Sequence, residues 1–228
     1  MSLRVVVADD QGVIREGFAA LLAAQDGIDV VGTAGDGAAL VDLVLAAGTG
    51  EGAVDLALVD VRMPLMDGIE ATRRITAATS CRVLVLTTFD LDEYVYAALR
   101  AGASGFLLKD VQAARLVEGV RLVGEGSMLL GPAVTRRLVE DVAGRRRASA
   151  HGESADTARL LAGLSTRERE VLEQLAAGRS NAEIAQALFI GTETVKTHVG
   201  EVLHKLALRD RVQAVVWAYE HGLVLPGS

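Results

Sequence analysis

At 228 residues and 50% hydrophobic, the chain can bury a sizeable core in one or two domains, and its lone cysteine, Cys81, excludes an internal disulfide and suits a reducing cytoplasm. No apolar run approaches the ~18 residues a spanning helix needs, and the amino terminus passes straight into a strand, so neither membrane insertion nor a signal peptide is expected. The net charge of −7 belongs to the first half, with 10 basic against 18 acidic residues over 1–125 and 7 against 8 over 163–228, so nucleic-acid binding must be argued from local clustering.

Leu3 to Ala8 is a short β-branched run that ends in Asp9-Asp10. Gly12 to Ala24 places Ile14, Phe18, Leu21 and Leu22 at helical spacing. Val30-Val31 is a second short strand and Gly37 to Ala47 a second helix, followed by a Gly-rich loop over 48–52. The run from Val54 to Asp60 is a buried strand that ends on a carboxylate, with a turn at Pro64 and Asp67-Gly68. A helix over Ile69 to Ala78, a strand over Arg82 to Leu86 and a helix over Asp92 to Arg100 come next. A strand over Gly105 to Leu108, ending in Lys109, and a helix over Val111 to Val123 complete the set. Five strands alternating with five helices argue for a doubly wound parallel sheet.

In such sheets chemistry gathers at the carboxyl ends of the strands. There the sequence sets Asp9 and Asp10, Asp60, Thr87 and Lys109. Three carboxylates at one edge repel unless a cation joins them, and hard oxygen ligands suit Mg²⁺. A lysine and a hydroxyl beside them suit phosphoryl transfer to a carboxylate.

These residues resemble the receiver domain of two-component response regulators. The segments Val59 to Gly68 and Gly102 to Lys109 are close matches to the family's phosphoacceptor segment and last strand. The resemblance implies that Asp60 accepts the phosphoryl group. It also implies that Asp10 and Asp60, with the backbone carbonyl of Arg62 and support from Asp9, hold Mg²⁺. Thr87 and Lys109 would bind the phosphoryl oxygens, and Thr87 with Phe106 would carry the switch. Arg62 and Phe89 flank the site by the same resemblance and are expected to screen it from water, so that the phosphorylated state decays slowly. The rival reading is an aspartyl phosphatase or phosphotransferase. Those usually carry a second Asp two positions after the nucleophile, and here that position is Arg62.

Pro132 to Ala143 has a helical apolar stripe, with Pro132 in its first turn. From Gly144 to Thr157 there is no apolar period, and this stretch reads as a flexible linker. The expected division is therefore 1–125, then 126–160 as helix and linker, then 161–228.

Two capping boxes, Ser165 to Glu168 and Ser180 to Glu183, open short helices in the last part. A third helix runs from Thr192 to Leu206 and a fourth from Asp210 to His221, which together suggest a helix-turn-helix. The third offers Thr194, Lys196, Thr197, His198, Glu201 and Lys205 on its polar face, the kind of surface a recognition helix needs. Arg179, Arg209 and Arg211 flank it as candidate phosphate contacts. Residues 161–225 resemble the LuxR-type DNA-binding domain, and the whole chain the NarL/FixJ class of response regulators. Gly191 stands where that family commonly has a Ser cap, and Gly200 where relatives often carry a polar side chain.

The sequence thus reads as a cytoplasmic, non-enzymatic transcriptional response regulator. Its implied partners are a sensor histidine kinase as phosphodonor, promoter DNA, a second copy of the chain when phosphorylated, and RNA polymerase as a further contact. The apolar stripe of the last helix is one candidate dimer face, with core packing as its alternative. The competing reading is a receiver-controlled module whose helical part binds protein in place of DNA.

Overall fold

The structure is a computed structural model that describes residues 2–50, 52–87, 92–126 and 160–224. It divides into two compact units, Met1–Gly131 and Pro132–Ser228.

The first unit carries β1 (Leu3–Ala8), α1 (Gly12–Ala23), β2 (Ile28–Ala34), α2 (Gly37–Ala46) and β3 (Leu56–Asp60). It continues with α3 (Gly68–Ala78), β4 (Arg82–Thr87), α4 (Asp92–Arg100), β5 (Gly105–Leu108) and α5 (Ala113–Gly124). All strands are parallel, in the order β2-β1-β3-β4-β5. Chain order reverses between β1 and β3, and a crevice opens at the carboxyl ends beside such a switch point. Val5, Val7, Leu56, Leu58, Leu84 and Leu86 form the middle of the core, with Leu116, Val120 and Val123 of α5 packed in the same cluster. Every residue of β3 is buried, which is why it reads as an unbroken apolar run.

β2 is longer than the expected Val30-Val31 pair. Gly32 lies inside it, and the Leu43 side chain of α2 fills the space a Cβ there would take, with Cδ1 2.6 Å from that position, so a larger residue would push that side chain aside. The loop after β3 is fixed the same way. A Cβ on Gly68 would stand 1.9 Å from the carbonyl oxygen of Asp60, and Gly68 N–H donates to Val61 O at 2.9 Å. The start of α3 is thereby seated on the backbone of Asp60. Asp67 caps that helix, accepting from Glu70 N at 2.7 Å, and Asp36 caps α2 through Ala39 N at 2.9 Å.

The second unit holds α6 (Thr166–Ala176), α7 (Asn181–Leu188), α8 (Thr192–Lys205) and α9 (Arg211–Glu220). Both expected capping boxes are formed, at Ser165 with Glu168 and at Ser180 with Glu183. Phe189, in the left-handed region at φ 55°, ends α7 and begins the three-residue turn to α8. Val171, Leu172, Leu175, Ile184, Val195, Val202 and Val215 are fully buried. The apolar residues of α9, weighed above as a dimer face, are buried as well. Tyr219 OH donates to Ala176 O at 3.1 Å. The helix expected over 132–143 and the linker over 144–157 lie outside the described residues.

Candidate functional site

Asp9, Asp60, Thr87 and Lys109 meet at the carboxyl edge of β1, β3, β4 and β5. Asp9 is fully buried, Asp60 is 5% exposed and Thr87 is 2% exposed, whereas Asp10 faces solvent. Lys109 Nζ reaches Asp9 Oδ2 at 2.7 Å and Asp60 Oδ2 at 3.0 Å. Burial pushes the Asp60 carboxyl above its ordinary range; the Lys109 ammonium opposes this, and the charges of Asp9 and Asp10 add to it.

Carboxylate oxygens of Asp9, Asp10 and Asp60 lie within 4.8 Å of one another. Two buried polar atoms here have no hydrogen-bond partner among the described residues, Thr87 Oγ1 and Asp9 Oδ2. The ammonium is close enough to Asp9 Oδ2 for charge attraction but off the direction of a hydrogen bond. Buried polar atoms are rarely left unpaired, and those that are point to an absent partner. A hard divalent cation fits the clustered oxygens, and a phosphoryl oxygen fits the Thr87 hydroxyl.

A recess of about 340 Å³ opens beside this cluster, lined by Asp10, Val61, Arg62, Met63, Pro64, Asp67 and Tyr94. Of these Arg62 and Pro64 are exposed, and the next residue, Leu65, is exposed as well and in the left-handed region at φ 65°. Phe106 is buried on β5. Phe89, expected to screen the site with Arg62, lies outside the described residues.

Two residues near this edge escaped sequence reasoning. Arg15 Nη1 donates to the Asp9 carbonyl at 2.6 Å and so braces the turn that carries both acids. Its signal was weak, one arginine in the first turn of a helix. Tyr94, on α4, was hidden among ordinary apolar positions.

In the second unit the polar face of α8 differs in part from expectation. Thr194, Lys196 and Thr197 are exposed, and His198 is half-buried. Lys205 does not project as part of a free cationic face: its Nζ donates to both oxygens of Glu168, at 2.9 and 2.7 Å, and so ties α8 to α6. The Lys205 ammonium, with the Ser165 backbone, holds the Glu168 carboxyl below its usual range. Arg211 is withdrawn from the phosphate-contact set. It is 8% exposed, donates to Asn181 Oδ1 at 2.6 Å and to the Arg179 carbonyl, and is pulled down by burial to about 10, so it stays charged at neutral pH. Arg179 and Arg209 are exposed, and Arg179 Nη1 donates to Gln174 Oε1 at 2.5 Å. Arg167 Nη2 donates to Leu188 O at 3.2 Å, closing the end of α7. Gly200 has open space where a Cβ would stand. Glu193, absent from the expected face, is exposed on the first turn of α8.

Residues 5–121 match the response regulator receiver domain family, and residues 162–218 match the bacterial regulatory proteins of the luxR family. The chain is 38% identical over 223 residues to the transcriptional regulatory protein LiaR of Bacillus subtilis, covering 97% of this chain and 99% of that protein. It belongs to the response regulators of the NarL/FixJ class. The response regulator VraR of Staphylococcus aureus is 36% identical over 225 residues, with 98% and 100% of the two chains covered. The solved structure of the response regulator ChrA superposes with a TM-score of 0.50 at 34% identity, covering 98% of this chain and 99% of that one. As a response regulator, the chain is a DNA-binding transcriptional regulator of a two-component system and not an enzyme. Receiver domains take phosphate from a histidine kinase and bind Mg²⁺ at an acidic pocket of this kind. No helix among the described residues is long and apolar enough to cross a membrane.

Proposed function

We propose that Asp60 is the phosphoacceptor of this response regulator and that α8 is its recognition helix. The observation that carries the first part is the buried pairing of Lys109 with both Asp9 and Asp60 beside an unpartnered Thr87 hydroxyl. Such a cluster is poised for a ligand that brings both a cation and anionic oxygens. Asp9, Asp10, Asp60 and the Arg62 carbonyl would hold Mg²⁺, which when bound neutralises the charge of the incoming phosphoryl group.

Asp60 Oδ attacks phosphorus and forms the acyl-phosphate bond while the bond to the donor breaks and the donor departs with its electron pair. Lys109 then moves from carboxylate pairing to a phosphoryl oxygen, and Thr87 donates its hydroxyl to another. Thr87 and Phe106 lie on adjacent strands β4 and β5, so a shift of Thr87 reaches the α4–β5–α5 face directly. Rearrangement of that face alters dimerisation and promoter binding, and a dimer on DNA sets the distance between half-sites. Arg179 and Arg209 are placed to meet phosphates, with Thr194, Lys196, Thr197 and His198 toward the bases. The working division is a receiver over 1–125, a connection over 126–160 and a DNA-binding domain over 161–228, acting in the cytoplasm, with RNA polymerase as the contact downstream of promoter binding.

Affinity of the full chain for DNA fragments recovered by footprinting tests this reading, measured with and without acetyl phosphate and Mg²⁺. Phosphorylation is expected to change affinity in the wild type. Lys109→Ala is expected to keep some labelling and lose that change. Equal affinities for both states of the wild type would refute the coupling.

A further inference from the structure

The first turn of α8 carries a carboxylate on a face expected to meet DNA. The Glu193 side chain is 84% exposed, and its Oε1 pairs at 2.7 Å with Lys196 Nζ, itself on a side chain 59% exposed. Thr197 donates its hydroxyl to the Glu193 carbonyl at 3.1 Å, which leaves its methyl group and lone pairs available to the surroundings. Glu193, Lys196 and Thr197 share one exposed face by helical spacing, and no neighbouring side chain occupies the space beside Gly200, one turn on.

In the free protein this pair is a minor stabiliser, since exposed ion pairs contribute little. In a major groove it acquires a different meaning. A carboxylate flanked by phosphates is tolerated only against a base edge that donates a hydrogen bond. Cytosine offers N4–H₂; adenine offers N6–H₂ but sets the N7 acceptor beside it; guanine O6 and N7 and thymine O4 only accept.

We propose that Glu193 is a specificity-determining residue that selects cytosine in the operator, beside a guanine read by Lys196. This deepens the reading of α8 as the recognition helix and rests on it. The two charged heads lie 2.7 Å apart, close to the rise of about 3.4 Å between stacked bases, so they meet the edges of two neighbouring base pairs, one head on each. The Glu193 carboxylate accepts from cytosine N4, and the Lys196 ammonium donates to guanine O6 and N7. Adenine is the weaker choice because N7 repels the second carboxylate oxygen.

The test uses the full chain, phosphorylated with acetyl phosphate and Mg²⁺, to select from random-sequence duplexes. Single-base variants of the selected duplex are then measured by fluorescence anisotropy. The wild type is expected to fix cytosine beside guanine and to lose about tenfold in affinity when that cytosine becomes thymine. Glu193→Gln should move the preference to adenine, which pairs well with a carboxamide, and Glu193→Ala should flatten that position alone. If both variants keep the wild-type preferences and tighten on every duplex by the same factor, Glu193 is only a helix-end charge and the proposal falls. Lys196→Ala separates the two levels. If Lys196→Ala abolishes the guanine preference while the Glu193 variants change nothing, only this proposal fails. If it too leaves every preference intact, the assignment of α8 fails with it.

Discussion

At the strand ends of the first unit, Asp9, Asp60 and Thr87 are buried side by side, and the Lys109 ammonium joins the two acids. On α8 of the second unit, Thr194, Lys196 and Thr197 stand in solvent, and Lys196 and Thr197 both bond to Glu193 of the same helix. The contrast follows from what each surface must recognise. A phosphoryl group is small, so its site is a preorganised pocket in which each group has one role. A DNA groove is long and hydrated, so its reader is a face whose contributions are graded and partly interchangeable. Substitutions in the first should act as near-complete losses, and substitutions in the second as increments.

The largest effect is expected from Asp60→Asn, which removes the nucleophile and leaves its shape. Labelling by acetyl phosphate should fall to background, as read on a phosphate-affinity gel. Substantial remaining label would mean that a different residue accepts the group.

Next comes Gly68→Ala. Its Cβ would meet the Asp60 carbonyl, so α3 must move off the phosphoacceptor backbone. A stability loss of about 3 kcal/mol is expected, at the upper end for overpacking. Guanidinium titration followed by far-UV circular dichroism measures it, and a loss well under 1 kcal/mol would show that the loop yields without strain.

A pair of arginines sharpens the comparison within the second unit. Arg211→Ala should cost about 2 kcal/mol of stability, because it strands the Asn181 carbonyl group and the Arg179 backbone. Arg209→Ala, at an exposed side chain, should cost clearly less stability than that. It should instead weaken binding to all DNA alike and flatten the salt slope by about one unit. Trp217 is the sole tryptophan and lies on α9, so its fluorescence reports unfolding of this unit in the intact chain. Similar behaviour of the two variants in both assays would contradict the separation of a structural arginine from a phosphate contact.

The smallest effect concerns Lys205. Its ammonium lowers the carboxyl of Glu168, so the pair contributes stability that is fully present above the ordinary carboxylate range. That contribution is lost as pH falls through the lowered value. Lys205→Ala should therefore cost up to about 1 kcal/mol at neutral pH. The difference from wild type should shrink as pH falls below the ordinary range for glutamate and vanish once the lowered carboxyl is itself protonated. A gap that persists in acid would assign the effect to packing of the lysine stem.

The same contrast explains what the sequence disclosed. Asp9-Asp10, Asp60, Thr87 and Lys109 were legible because each ends an apolar run, and a parallel sheet brings such ends to one edge whatever the loops do. The length of β2 was not, because Gly32 reads as a break until Leu43 is seen above it. On α8, the helical period separated Val195 and Val202 from the polar side, but it carries no information about neighbouring helices. Lys205 therefore counted as a DNA contact until Glu168 appeared beside it, and Arg211 until its burial against Asn181 was known. Glu193 carried no signal of its own, since an acid in the first turn of a helix ordinarily only complements the helix dipole.

The central claim is that the buried cluster at the strand ends is where the phosphoryl group is received. The most direct test is to phosphorylate the full chain with acetyl phosphate and Mg²⁺ and reduce the acyl phosphate with borohydride. Peptide mass spectrometry then locates the homoserine left at the modified aspartate. The account predicts a single conversion, at Asp60, which disappears when Mg²⁺ is chelated beforehand. Conversion at Asp9, Asp10 or any other acid, with Asp60 intact, would contradict it.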